Sequence, residues 1–352
     1  MKFLTLRETR GACNAKAWLA DGTVRQYDRG FLWHPEEREA ANLEELAALL
    51  FELGDRRDVI VVRGAEKTPG RTPILRRIIG DEADLVDADR DWICGDVDGV
   101  AVPEGLRAVV EGGGWGGRPM RLIESAAVAH AVLAAELPAW LAKAGCVWQW
   151  SGSAGRDGWA KLKAHVWWPL ARPVCSASLA EWGASQSVLD RAGLRPVQPL
   201  YTAQPLIEDG FADAPRAWVQ IVPGPPAEPP RALLSLADHA AKERLEAEER
   251  RAAAERRTAA LAYTSPMAVQ SQHLAALSRL TRYAERKILG AGEGQRHDSI
   301  LKAATAVARL ADEHRLDATD ALDRVEAAAR TALGAKRAKE VTRIMETVRG
   351  RG

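Results

Sequence analysis

Asp96 and Asp98 stand two residues apart in Trp92-Ile-Cys-Gly-Asp96-Val-Asp98-Gly99. On a β-strand, residues i and i+2 face the same side, so both carboxylates project together, about 6.6 Å apart along the strand. Two like charges held that close repel unless a cation lies beside them. Hard divalent cations such as Mg²⁺ prefer carboxylate oxygens and bridge to substrate phosphates. Strand-borne carboxylates at this spacing predict a nucleotidyl-transfer metal site. Asp98-Gly99 is also a turn signal, so a strand ending in a tight turn is the structural alternative. The glycine falls too early for an EF-hand loop.

A second constellation runs Trp150-Ser151-Gly152-Ser153-Ala154-Gly155, then Lys161-Leu-Lys163-Ala-His165-Val-Trp167-Trp168. Read as a strand, it places Lys161, Lys163, His165 and Trp167 on one face and Leu162, Ala164, Val166 and Trp168 on the other. The second face suits a core. The first aligns three nitrogen-bearing side chains beside an aromatic ring. The Ser/Gly loop before it can turn backbone N–H groups toward a phosphate. Lys161, Lys163, His165, Ser151 and Ser153 would then hold a nucleotide triphosphate, with Trp167 near a base or at the rim. A surface strand with solvated lysines is the structural alternative.

Together these residues resemble the archaeo-eukaryotic primase superfamily, in the branch carried by plasmids and prophages. Asp96 and Asp98 match its first motif, a carboxylate pair on a strand. His165 matches the histidine that contacts the incoming nucleotide, with Ser151 and Ser153 as loop serines and a longer insertion before the histidine. The third motif is an acidic residue completing the metal site. Its match is Asp190, in Asp190-Arg-Ala-Gly-Leu-Arg-Pro-Val-Gln198-Pro-Leu-Tyr201-Thr-Ala-Gln-Pro205, with Asp209 and Asp213 competing. Val61-Val-Arg63-Gly-Ala65 is also similar to this branch, with Arg63 placed to contact template or nucleotide phosphate. Gly292-Glu-Gly-Gln-Arg296-His297-Asp298 looks like the helical domain that follows many such cores, and Arg296 there could bind phosphate.

The resemblance covers most of residues 1–222. It implies an RRM-like core and primer synthesis on single-stranded DNA from NTPs or dNTPs. Mg²⁺ or Mn²⁺ would sit on Asp96, Asp98 and Asp190. Arg63, Trp167, Gln198, Tyr201 and Arg296 would contact nucleic acid, and a replicative helicase is a candidate partner. Two other readings stay open. Asp96-Val-Asp98-Gly99-Val100 resembles the start of haloacid-dehalogenase-type phosphatases, with Asp96 as nucleophile and Glu208-Asp209 with Asp213 as the late acidic motif. Alternatively the chain is a non-enzymatic replication-associated DNA-binding or helicase-adaptor protein.

The elements that must position these residues divide the chain. All twelve Trp lie between Trp18 and Trp218, and Pro223-Gly-Pro-Pro-Ala-Glu-Pro-Pro230 follows. Such a stretch continues neither helix nor central strand and reads as a stiff linker. The front half mixes strand and helix signals, giving an α+β (α/β) catalytic domain over residues 1–222. Ala15–Ala20 and Thr23–Tyr27 flank the hairpin signal Asp21-Gly22. Asn42 with Glu45 caps a helix over Leu46–Leu53. Strands are expected at 58–62, 92–98, 146–151, 161–168 and 217–222, and helices at 122–135 and 179–189. Residues 223–262 read as linker and charged connecting helix. Residues 263–352 read as an all-α domain, with helices around 271–289, 298–314, 318–333 and 338–348.

The 352 residues hold 49 Lys+Arg and 48 Asp+Glu, which excludes a histone-like binder of strong positive charge. Residues 231–352 carry 23 Lys+Arg against 17 Asp+Glu, and residues 1–230 carry 26 against 31. An acidic front half with a basic tail fits a metal-using domain beside a polyanion-tolerant helical one. The near-neutral total predicts modest DNA affinity that falls with salt. No run of about 18 apolar residues exists, so no membrane partner is expected. The four Cys form no CxxC pair, which argues against structural zinc or a disulfide framework. MKFLTLRETRG lacks the apolar core of a signal peptide. These features predict a reduced, cytoplasmic protein.

Overall fold

The computed structural model describes residues 1–26, 30–78, 82–108, 110–111, 120–184, 188–208, 214–215, 217–234, 266–292, 295–334 and 337–350. It divides into two units, residues 1–67 with 85–256 and residues 68–84 with 257–352.

The first unit opens with β1 (Lys2–Glu8). The expected hairpin follows as β2 (Ala17–Trp18) and β3 (Val24–Arg25), with Gly22 at φ +82° in the turn between them. Strand β4 (Leu32–Glu39) runs antiparallel to β1, and β5 (Val59–Val62) pairs with β1's other edge. The sequence reading missed β1 and β4. Pro35 and the charged run Glu36–Glu39 disguise β4, because proline is depleted from strands and gives no ladder N–H. Helix α1 (Leu43–Gly54) starts where predicted: Asn42 accepts from Glu45 N–H at 2.8 Å, and the Glu45 carboxylate accepts from Ala41 N–H at 2.9 Å. Its Leu46, Leu49, Leu50 and Leu53 form one buried stripe at helical spacing.

The second sheet carries the residues of interest. It is built from β6 (Arg90–Ala101), β7 (Cys146–Trp150), β8 (Lys161–Val174) and β9 (Val219–Val222), ordered β9–β7–β8–β6 and antiparallel throughout. Helix α2 (Ala126–Ala134) lies between β6 and β7 in sequence, and α3 (Ser176–Gly183) between β8 and β9. The chain thus runs β–α–β–β–α–β, with the third strand between the first and second.

Strand alternation gives this sheet two apolar faces. Ile93, Val97, Trp148, Ala164, Val166 and Trp168 form one core with α2 and α3. Trp92, Cys94, Val147 and Trp167 form the other with Phe3 and the leucines of α1. Phe3 stacks on Trp92 at 4.9 Å, and Trp92 lies 5.5 Å from Trp167. Such pairs contribute about 0.5–1.5 kcal/mol each beyond their area.

The proline-rich stretch belongs to this unit. Ala227 donates to Pro169 O and accepts from Ala171 N–H, Pro225 O accepts from Gly145 N–H, and Leu233 is buried in the α2 and α3 core. Prolines lack N–H groups, but their carbonyls and the interposed Ala227 still bond to the sheet. The charged run beyond it, over 235–262, lies outside the described residues.

The second unit contains the four expected helices, α4 (Pro266–Leu289), α5 (Arg296–Glu313), α6 (Thr319–Leu333) and α7 (Ala338–Arg349). Each buries an apolar stripe: Ala276, Leu277 and Ile288 on α4, then Ile300, Val307 and Leu310, then Val325 and Ala329, then Val341, Ile344 and Val348. Residues 68–84 also belong here, which no pattern in the sequence announces. The fold is α+β followed by an all-α region. Among the described residues, no helix is long and apolar enough to cross a membrane.

Candidate functional site

Along β6, the side chains of one face pass from core to solvent. Trp92 and Cys94 are buried, the Asp96 side chain is 37% exposed and that of Asp98 70%. The partner strand β8 repeats the gradient, from buried Trp167 through partly buried His165 and Lys163 to exposed Lys161. The register sets Trp167 opposite Cys94, His165 opposite Asp96 and Lys163 opposite Asp98. A one-residue slip would carry the aspartates and His165 into the core under α2 and α3, so the apolar residues of both faces fix where the polar ones point.

Asp98-Gly99 does not turn the chain. Lys163 pairs with Asp98 and Leu162 with Val100, so Gly99 is an extra residue in a bulge. Its φ of +123° strains any side chain, which explains glycine there. The strand continues to Ala101.

The cross-strand pairs are loose. His165 Nε2 lies 3.6 Å from Asp96 Oδ1, and Lys163 Nζ lies 3.9 Å from Asp98 Oδ1 and 4.0 Å from Asp157 Oδ2. Among the described residues neither Asp96 nor Asp98 accepts a hydrogen bond, so their lone pairs stay open to a hard cation. His165 Nδ1 is buried without a partner. Asp96, Asp98 and His165 line a cavity of about 140 Å³ with Asn14, Lys16, Ser151, Gly152, Ser153, Tyr201 and Ala203.

The sequence reading missed Lys16 and Asn14. Lys16 donates to Ser153 Oγ at 2.7 Å, and its stem crosses Gly152, where a Cβ would meet it at 3.7 Å. Trp18 Nε1 donates to Gly152 O at 2.8 Å, tying the same loop to β2. Burial pulls the Lys16 ammonium below its ordinary value. Asp98 and Asp96 pull it up, while Lys163 and Arg156 add to the lowering. A single lysine between two alanines carries no sequence signal, since only the fold brings it to residues about 80 and 137 positions away.

The Ser/Gly loop differs from expectation. Ser153 N–H donates to Ser151 Oγ and Ala154 N–H to Ser151 O, so these N–H groups serve the loop itself. Ser151 and Ser153 line the cavity, and these two amides are already spent within the loop.

Several expected residues lie elsewhere. Asp190 runs beside β6, its N–H donating to Asp96 O at 3.0 Å, but its carboxylate accepts from Ala192 N–H at 2.8 Å and caps the turn Arg191–Leu194. It is exposed and does not line the cavity. Among the described residues no three Asp, Glu, His or Cys side chains converge as a ligand set. The competing Asp209 and Asp213 lie outside the described residues. Lys161 sits at the exposed end of β8 opposite Ala101, away from the cavity.

Arg63 is only 1% exposed, so it does not reach nucleic acid. It donates to Val174 O at 2.6 Å and lies 5.5 Å over Trp92, and burial lowers its pKa to about 10. Trp167 is also buried and is no base platform. Its Nε1 donates to Gln149 Oε1, and Gln149 in turn donates to Thr202 O. That chain holds neighbouring Tyr201 at the cavity. Gln198 is half-buried outside it, its N–H donating to Arg195 O. Arg296 belongs to the second unit, where its Nε donates to Ala291 O just after α4.

Asp96 and Asp98 are of the donor type that a hard cation such as Mg²⁺ or Mn²⁺ takes. Both are acceptor-only oxygen donors, share one face and are accessible. A hard cation of this kind takes one or two carboxylates and completes its shell with water and substrate phosphate. Comparisons with protein-family models, with curated proteins and with solved structures each gave no match to this chain.

Proposed function

We propose that the first unit is a metal-dependent nucleotidyl transferase that starts primers on single-stranded DNA. The observation that carries this reading is the register across β6 and β8. It sets a carboxylate pair against His165 and Lys163 at the mouth of a cavity lined by Ser151 and Ser153. The β–α–β–β–α–β order supports the RRM-like core that the primase resemblance implies. The departure is β9, which lies beside β7 rather than beside β6.

Asp96 and Asp98 would hold Mg²⁺ or Mn²⁺, which when bound acidifies an attacking 3′-hydroxyl and offsets phosphate charge. His165 Nε2 stands where it can donate to a phosphate oxygen beside Asp96. Ser151 and Ser153 offer hydroxyl groups in the same cavity. Lys163 offsets Asp98 and Asp157. The protein's contribution is positioning and charge compensation, the usual demand of phosphoryl transfer. A cavity of about 140 Å³ suits a phosphate chain and leaves sugar and base at its mouth. NTPs or dNTPs would be substrates, and a replicative helicase would act beyond this site.

The phosphatase reading draws less support. Asp96 lies within an antiparallel strand and faces His165, whereas α/β sites form beyond the carboxyl ends of parallel strands. The test is primer synthesis on unprimed circular single-stranded DNA with labelled nucleotides and Mg²⁺ or Mn²⁺. Short products from the wild type and none from Asp96→Asn/Asp98→Asn are expected. Activity surviving the double change would overturn the assignment. DNA binding unaffected by it, with no product from either protein, would favour the adaptor reading.

A further inference from the structure

The sequence points to Lys161 and Lys163 as the triphosphate-binding cations, yet the geometry disqualifies both from the leading role. Lys161 is exposed at the end of β8. Lys163 is shared between Asp98 and Asp157 at 3.9 and 4.0 Å. Lys16 is different. It comes from the β2 segment, its stem lies across Gly152, and its ammonium is anchored to Ser153 Oγ at 2.7 Å. It lines the same cavity as Asp96, Asp98 and His165. The backbone that carries it is pinned: Lys16 O accepts from Leu206 N–H at 2.8 Å, and Trp18 Nε1 reaches Gly152 O.

The charges around the cavity do not balance. Among the residues that line it, Lys16 stands against Asp96 and Asp98, one ammonium facing two carboxylates. The surplus is one negative charge, which repels a polyphosphate. One divalent cation on Asp96 and Asp98 reverses the sign. The ammonium of Lys16 then has an open route to a phosphate oxygen, with Ser153 Oγ already orienting it.

We propose that Lys16 is the principal phosphate-recognising residue of this cavity, and that it binds a polyphosphate chain only once a divalent cation has offset Asp96 and Asp98. This rests on the nucleotidyl-transfer reading for the ligand's identity, a nucleoside triphosphate, but its test does not need turnover. Metal would therefore bind before or with the nucleotide.

The probe is inorganic tripolyphosphate, titrated calorimetrically into the full chain with excess Mn²⁺ or with none. Wild type should bind with Mn²⁺ and at least roughly tenfold more weakly without it. Lys16→Gln should lose roughly ten- to a hundredfold in affinity with Mn²⁺, the scale of one charge-assisted hydrogen bond. Lys16→Arg should stay within about threefold of wild type, since charge and donor persist. Lys161→Gln should stay within about twofold.

A measurement on the unaltered protein covers the case in which Lys16→Gln folds poorly. Acetylation of wild type, read by peptide mass spectrometry, should show Lys16 protected by Mn²⁺-tripolyphosphate and Lys161 unprotected. Wild-type affinity in Lys16→Gln, equal binding without metal, or unchanged Lys16 acetylation overturns the proposal. Lys16-dependent binding without primer synthesis would instead sink the primase reading and leave Lys16 standing. Primer synthesis by Lys16→Gln with an unchanged nucleotide KM would do the reverse.

Discussion

Asp84, in the second unit, has a side chain wholly shielded from solvent. It accepts from Leu75 N–H at 2.7 Å, from Arg71 at 3.0 Å and from Arg279 at 3.2 Å. Asp96 and Asp98, in the first unit, are open to solvent and meet His165 and Lys163 only at 3.6 and 3.9 Å. All three are aspartates beside basic side chains, but the consequences differ. A carboxylate held by three donors and closed off from solvent gives a ligand no access, and its burial is tolerated only because it is paired. A carboxylate in a loose pair keeps its oxygens free and can exchange its partner for a metal ion. The contrast separates a carboxylate consumed by structure from carboxylates left accessible, and it can be broken by neutralising each.

The largest effect should come from Asp96→Asn/Asp98→Asn. The change keeps shape and removes charge, so primer synthesis should fall by roughly a thousandfold or more, the scale of losing preorganised charge stabilisation. The thermal midpoint should hold or rise, because two like charges on one strand face no longer repel. A double variant that melts early would move these residues to Asp84's class.

Asp84→Asn should show the opposite pattern. It leaves buried Arg279 without its countercharge and should cost about 3 kcal/mol, at the low end for a broken buried pair because Arg71 is 39% exposed. Urea unfolding followed by circular dichroism checks this, and a change under about 1 kcal/mol would contradict it. Arg63→Met ranks next. Removing the guanidinium strips Val174 O of its donor, a loss of about 1–3 kcal/mol. Affinity for single-stranded DNA, and its dependence on salt, should stay unchanged. A shallower salt dependence in this variant would restore Arg63 to the nucleic-acid surface.

These contrasts also mark what the sequence disclosed. Local patterns were legible. The Asn42 and Glu45 cap, the Asp21-Gly22 hairpin, the alternation of 161–168 and the four tail helices all read from spacing within one element. The placement of the candidate site was half legible for the same reason: Asp96, Asp98 and His165 sit on strands whose apolar residues fix which way the polar ones point. Lys16 was invisible, because its place at the cavity depends on where β2 lies and not on its neighbours in sequence. Arg63 and Trp167 misled in the other direction. Each is expected to reach outward, but Phe3 and the leucines of α1 cover Trp167, and Arg63 turns onto Trp92 and Val174 O. Asp190 lies close to the site, but its carboxylate caps the turn that it begins.

The smallest effect concerns a pair that imitates a catalytic dyad. Cys146 Sγ lies 3.7 Å from His130 Nδ1, while His130 Nε2 is 3.2 Å from Ala142 O. With the ring proton on Nε2 donated to Ala142, Nδ1 accepts from the thiol. Burial pushes the Cys146 thiol up to about 12, and it pulls His130 below its ordinary value despite the Ala142 bond. Both shifts favour the neutral pair, the reverse of a thiolate and imidazolium. A folded-state thiol pKa above the unfolded one means that the unfolded chain holds fewer protons between about pH 9 and 12. Stability therefore falls as pH rises through that window, by up to about 1.4 kcal/mol per pH unit from this group. Cys146→Ala lacks that slope, so the stability difference between it and wild type should change in the variant's favour between pH 9 and 10.5. Urea melts at three pH values measure this, and parallel stability curves for the two proteins would refute it. Iodoacetamide at pH 8 adds a second reading. It should modify partly exposed Cys13 ahead of buried Cys94, Cys146 and Cys175, and rapid labelling of Cys146 would mean that this pair is ionised.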